Sequence, residues 1–218
     1  MTKRLVIFDL DGTLLDTIGD LSAACNHLLS QRGYPTHTDD QYRMMVGNGI
    51  DRLIERSLPP DVRSPETVQV LRPEFIDYYR AHIDQHTQPY AGIPELLEKL
   101  EVGGVKLAVA SNKYHNGTVA LVERFFPQRH FAAVLGQREG VPVKPDPAAV
   151  NEILALTGIR PADVLYVGDS GVDMQTARNA GIESAGVLWG FRHRAELVEA
   201  GARHIAASPA DIIPWVLP

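Results

Sequence analysis

Leu5-Val6-Ile7-Phe8-Asp9-Leu10-Asp11-Gly12-Thr13 sets four apolar residues directly before two carboxylates, a glycine and a hydroxyl. A continuous apolar, partly β-branched run of this kind marks a strand buried on both faces, as in parallel sheets. The pattern recurs at Val105-Lys106-Leu107-Ala108-Val109-Ala110, Ala132-Ala133-Val134-Leu135, Val164-Leu165-Tyr166-Val167 and Ala185-Gly186-Val187-Leu188. Each run precedes a loop of small or charged residues. Helical stretches separate them. Leu96, Leu97 and Leu100 keep helical spacing until Gly103-Gly104 stops them; Val150, Ile153 and Leu154 do the same before Gly158; residues 172–180 end at Gly181. From about residue 90 onward, helix and strand alternate. That predicts an α/β fold with a doubly wound parallel sheet.

Residues 16–89 carry no convincing strand. Leu21, Ala24, Cys25, Leu28 and Leu29 form one helical stripe, and Ile50, Leu53, Ile54 and Leu58 another, closed by Pro59-Pro60. Ser64-Pro65-Glu66 opens a third helix, expected to kink or break at Pro73. The expected organisation is a core of residues 1–15 and 90–218 with a helical module of residues 16–89 inserted after the first strand.

Composition excludes several classes. The chain has 218 residues, with 21 Lys and Arg against 27 Asp and Glu, a net charge of −6. That balance gives no basic footprint for nucleic acid. No apolar run approaches a bilayer span, and Asp9, Asp11 and Asp16 interrupt the first one before it could serve as an export signal. Cys25 is the only cysteine, which fits a reducing compartment. The expectation is a cytoplasmic protein without membrane or protein partner.

Four constellations carry chemistry. Asp9 and Asp11 are two apart, so an extended segment turns both to one side. A metal could bind the first and leave the second free for proton transfer, although acids here could instead cap the next helix. Asp169 and Asp173 straddle a strand-to-helix turn in Gly168-Asp169-Ser170-Gly171-Val172-Asp173. They offer hard oxygens suited to Mg²⁺, although Asp169 or Ser170, standing before Val172, could instead cap the helix. Lys144 is framed by stiff residues in Val143-Lys144-Pro145-Asp146-Pro147. Ser111-Asn112 ends another strand and could hold a phosphoryl oxygen or simply make a turn. All four fall at the carboxyl ends of predicted sheet segments or just beyond, where open α/β sheets bind ligands.

In order and spacing these motifs resemble the haloacid dehalogenase superfamily of phosphohydrolases, over nearly the whole chain. The insert after the first motif looks like that superfamily's helical cap. The run Asp173-Met174-Gln175-Thr176-Ala177-Arg178-Asn179-Ala180-Gly181 is similar to its phosphoglycolate phosphatase branch. The resemblance implies a Mg²⁺-dependent phosphomonoesterase acting on a small phosphorylated metabolite. Asp9 would be the nucleophile and Asp11 the acid and base. Mg²⁺ would sit on Asp9, the Asp11 carbonyl and Asp169, supported by Asp173. Ser111, Asn112 and Lys144 would hold the phosphoryl group, and Thr13 would orient the loop. Lys113 is set aside in favour of the proline-framed Lys144.

Within the superfamily, Asp11 argues against the dehalogenase branch, which lacks the second aspartate. The absence of lysine between Lys3 and Lys99 removes the amine that a phosphonate-cleaving branch needs. A hexose-phosphate mutase, or a nucleotide or sugar phosphatase, remains an alternative. So do two non-enzymes, a receiver-like phospho-accepting module and an idle binding protein. For the substrate, Gly47-Asn48-Gly49 could expose backbone N–H groups to an anion. Arg52, one turn on, is the expected partner of a substrate carboxylate, because a guanidinium grips carboxylates with two prongs. The resemblance to the phosphoglycolate phosphatase branch, with a cap whose only long cationic side chains are arginines, implies 2-phosphoglycolate as the first substrate to test.

Overall fold

The structure is a computed structural model that describes residues 2–217. Residues 1 and 218, the outer ends of the expected core, lie outside the described residues. The chain begins with β1 (Leu5–Phe8) and β2 (Leu15–Asp16). Four helices follow: α1 (Ile18–Ser30), α2 (Asp39–Met45), α3 (Ile50–Ser57) and α4 (Pro65–His82). After β3 (Gln88–Pro89) the chain alternates: α5 (Ile93–Val102), β4 (Lys106–Tyr114), α6 (His115–Phe125), β5 (Phe131–Gln137) and α7 (Ala148–Thr157). It continues with β6 (Val164–Gly168), α8 (Gly171–Asn179), β7 (Glu183–Val187), α9 (Arg194–Glu199), β8 (His204–Ala206) and α10 (Ile213–Val216).

Six strands form one parallel sheet in the order β5-β4-β1-β6-β7-β8. This is the doubly wound α/β architecture read from the apolar runs. The strands are apolar on consecutive residues because both faces are covered. Val6 and Phe8 pack with Leu107, Val109, Leu165 and Val167 under α5 and α6. Leu5 and Ile7 pack with Ala108, Ala110, Val164 and Tyr166 under α7 and α8. β1 pairs with β4 on one side and β6 on the other. The chain thus winds outward in both directions from β1, and the crevice at that switch point opens beyond Phe8.

The helices α1 to α4 bury a separate apolar cluster, including Leu21, Leu28, Leu53, Ile54, Phe75 and Tyr79. Two details differ from the sequence reading. α4 runs unbroken through Pro73, because Val68, Leu71, Phe75 and Tyr79 are buried along it on either side of the proline. Residues 16–89 also hold a strand: β3 pairs antiparallel with β2, Leu15 opposite Pro89 and Asp16 opposite Gln88. This short ladder ties together the two points where the chain leaves and rejoins the sheet. Beside it the buried Asp20 accepts from His86 N and Thr87 N, both at 2.9 Å, and from Thr87 Oγ1 at 2.7 Å. α2, α6, α9, α10 and β8 were not foreseen. Among the described residues no helix is long and apolar enough to cross a membrane.

Candidate active site

The four constellations meet at the switch point. Asp9 leaves β1 with its N–H still bonded to Val167 O, 2.9 Å, so the strand ladder fixes its backbone. The chain then turns sharply at Gly12, whose φ is +83°. A β-carbon there would lie 2.4 Å from Asp169 Oδ2, so only glycine lets the two acidic loops approach. Gly190 serves the same packing from the other side: a β-carbon on it would come within 2.3 Å of Asp169 Cβ.

Lys144 joins the acids. Its ammonium lies 3.0 Å from Asp9 Oδ1 and 2.7 Å from Asp173 Oδ1, and donates to Tyr166 OH at 3.1 Å. Its backbone N–H donates to Asn112 Oδ1, 2.8 Å. Burial works against the charge on Lys144, but Asp173 and Asp9 outweigh it and hold the ammonium well above the ordinary lysine range. Stranding such a buried charge by removing its partner costs about 3–5 kcal/mol.

Asp173 does two jobs. It completes the capping box of α8, accepting from Ser170 N at 3.1 Å and Ser170 Oγ at 2.6 Å through Oδ2, and gives Oδ1 to Lys144 and Tyr166. The cap expected before Val172 is Ser170, and Asp173 joins its capping box while also facing Lys144. Asp169 Oδ2 accepts from Phe191 N at 2.7 Å.

Asp9, Asp169 and Asp173 each present an oxygen within 4.8 Å of the other two. Burial, opposed by Lys144 and reinforced by Asp173 and Asp11, pushes the Asp9 carboxyl up to about 7. Burial and the neighbouring Asp173 and Asp9 raise Asp169 well above its ordinary value. Three buried carboxylates around one lysine leave a surplus of negative charge, and an all-oxygen donor set of this kind fits a hard divalent cation.

Asp9, Asp11, Ser111, Asn112 and Asp169 line one cavity, which α1, α3, α4 and the α2–α3 turn roof over with Leu21, Gly47, Gly49, Leu53 and Phe75. Other expected residues stand elsewhere. Thr13 is fully buried, its Oγ1 without a hydrogen-bond partner among the described residues, and it does not line the cavity. The Asn112 side chain is taken up in bracing: Nδ2 donates to Gly47 O and Lys144 O, both at 3.0 Å, while Oδ1 holds Lys144 N. Asn48 accepts from Arg56 Nη2 at 2.8 Å, outside the lining.

Arg52 corrects the expectation of a carboxylate-binding arginine. Its side chain is 63% exposed, is paired with Glu55, and does not reach the cavity. Ile50, Leu53 and Ile54 take the inward face of α3, which turns Arg52 outward.

Three cavity residues were missed or set aside. Lys113 Nζ lies 3.1 and 3.3 Å from the two Asp11 carboxylate oxygens. Tyr79, read as plain core, accepts from Lys113 at 2.7 Å. Arg192, which no motif announced, donates to Arg43 O and, at 2.7 Å, to Val46 O, gripping the turn that carries Gly47 and Gly49.

Residues 6–187 match the family described as haloacid dehalogenase-like hydrolase. A phosphoglycolate phosphatase of Mesorhizobium japonicum is 36% identical over 196 residues, covering 89% of this chain and 86% of that protein. One of Vibrio parahaemolyticus is 32% identical, covering 98% and 96%. A solved structure from Lactobacillus delbrueckii subsp. bulgaricus superposes with a TM-score of 0.93 at 31% identity, covering 100% of this chain and 99% of the other.

Proposed function

This chain belongs to the haloacid dehalogenase-like hydrolase family and is a phosphatase, and from that premise we propose that it hydrolyses a small phosphomonoester through an aspartyl-phosphate on Asp9, with Mg²⁺ as its metal and 2-phosphoglycolate as its substrate. The observation that carries the reading is the Asp9 carboxylate at the tip of the central strand, 3.0 Å from Lys144 and grouped with Asp169 and Asp173.

In the first step an Asp9 oxygen attacks phosphorus, the ester P–O bond breaks, and Asp11 gives its proton to the departing oxygen. In the second, Asp11 takes a proton from water as that water attacks phosphorus. The P–O bond to Asp9 then breaks and its electron pair returns to the carboxylate. Lys144 and Ser111 neutralise and hold the phosphoryl oxygens, where charge spreads in the transition state. Asp9, Asp169 and the Asp11 carbonyl hold the metal, with Asp173 behind them. When bound, Mg²⁺ supplies the positive charge that lets a phosphoryl dianion approach a carboxylate. Residues 16–89 act as a cap over the core of residues 1–15 and 90–218 and keep bulk water from the leaving group.

The relatives' names support 2-phosphoglycolate, and Arg192 gives the cavity a cationic side chain that an anionic leaving group would meet. A panel of phosphorylated metabolites tests the choice. The reading expects the highest kcat/KM for 2-phosphoglycolate; preference for a hexose phosphate or a nucleotide would replace that substrate and keep the phosphatase.

A further inference from the structure

Resting on the phosphomonoesterase reading above, we infer that Lys113 and Tyr79 form a positioning pair that sets the orientation of the Asp11 carboxyl group and makes it depend on the seating of α4. The catalytic sequence as stated gives neither residue a part. Both line the same cavity as Asp11.

The geometry is specific. The Lys113 side chain is 3% exposed, and its ammonium has three protons to donate. Two reach the Asp11 oxygens, at 3.1 and 3.3 Å, and one reaches Tyr79 OH, at 2.7 Å. The ammonium also sits 4.5 Å from the centre of the Tyr79 ring, over which a cation is attracted. Every donor is thus used, and the lysine has no free proton for a phosphoryl oxygen. Lys144 is placed quite differently, against Asp9 and Asp173. The two lysines divide the acids between them: Lys144 serves the nucleophile, Lys113 the proton carrier.

The pair also links two layers. Asp11 and Lys113 belong to the sheet layer, on the loop after β1 and near the end of β4. Tyr79 belongs to α4 and is fully buried. Phe75, one turn earlier on α4, stacks on its ring at 5.6 Å, so the phenol is fixed by the packing of the helical layer. Burial, and next the nearby Asp11, hold the phenol protonated, well above the ordinary tyrosine range. A displaced α4 withdraws the phenol from Lys113, and the Asp11 carboxyl then loses its anchor.

Leaving-group dependence tests this. An alkyl phosphate needs a proton delivered to its departing oxygen, whereas p-nitrophenyl phosphate releases a stable anion. Because kcat/KM reports the steps up to departure of the leaving group, the ratio of kcat/KM for β-glycerol phosphate to that for p-nitrophenyl phosphate reads the placement of the acid. In Tyr79→Phe and Lys113→Met that ratio should fall at least about tenfold, within the range that general acid catalysis supplies. Lys113→Arg, able to hold both carboxylate oxygens, should recover most of it. Circular dichroism checks that each variant folds. Equal losses on both esters in the two variants would overturn the inference while leaving the phosphatase in place. A wild-type enzyme that cleaves neither ester nor 2-phosphoglycolate would remove the phosphomonoesterase reading and the pair with it.

Discussion

Gly12 and Asp169 pack so closely that a single methyl group on the glycine would fall 2.4 Å from the aspartate's Oδ2. The first and last acidic loops are therefore held at a separation that a missing side chain defines. Gly12→Ala should cost about 1–2 kcal/mol in stability from its left-handed backbone. It should lower turnover by more, by about 100-fold, because misplacing a reacting group by an ångström has effects of that size. Thermal melting and steady-state kinetics on one sample measure both. A variant with native turnover would show that the loops need not touch.

The charge surplus around Asp9 makes a prediction for pH. Its carboxyl, chiefly through burial, is raised to about 7 from an ordinary 3.8. Between those values the folded, metal-free chain holds a proton that the unfolded chain releases, so its stability should fall as pH rises through that window. A divalent cation takes the proton's place. The rise in melting temperature on adding Mg²⁺ should therefore be larger at about pH 8 than at about pH 5.5. An equal rise at both would contradict the assignment of this acidic group as the metal site.

Arg192 and Arg52 separate two kinds of arginine. Arg192 holds Arg43 O and Val46 O and lines the cavity; Arg52 faces solvent beside Glu55. Arg192→Ala should lower kcat/KM for 2-phosphoglycolate by about tenfold or more, as loss of a charged, half-buried hydrogen-bond donor does. Arg52→Ala should stay within about 0.5 kcal/mol of wild type, the usual range for a surface change. The reverse order would restore Arg52 to the substrate site.

How far the sequence could be read depended on how strongly the physics marks each element. The central strand was legible because burial on both faces forces consecutive apolar residues, Leu5 to Phe8. The acidic loops were legible because they stand directly after such runs. β8, three residues with a half-buried His204 at its start, has too little pattern to stand out. The Arg52 expectation ignored a signal that was present: Ile50, Leu53 and Ile54 already assign the inner face of α3. Lys113 was set aside because the prolines around Lys144 and that lysine's motif position favoured Lys144, and β4 was expected to stop at Ala110. The strand continues to Tyr114, and in an extended segment Lys113 lies on the same side as Ser111. Tyr79 and Arg192 act through contacts with residues distant in sequence, Lys113 and the α2–α3 turn. Helical spacing alone makes Tyr79 core, and Arg192 lies in the loop before α9, where no periodic pattern marks it.

The central claim is that phosphate passes through a covalent bond to Asp9. Enzyme mixed with excess substrate and Mg²⁺, quenched in acid within the first turnovers and digested, should yield the peptide containing Asp9 with the added mass of one phosphoryl group. The same peptide from Asp9→Asn should carry none, and that variant's turnover should be lower by at least about a thousandfold. A wild-type enzyme that turns over rapidly with no phosphorylated Asp9 peptide, or an Asp9→Asn enzyme of near-native rate, would contradict the account.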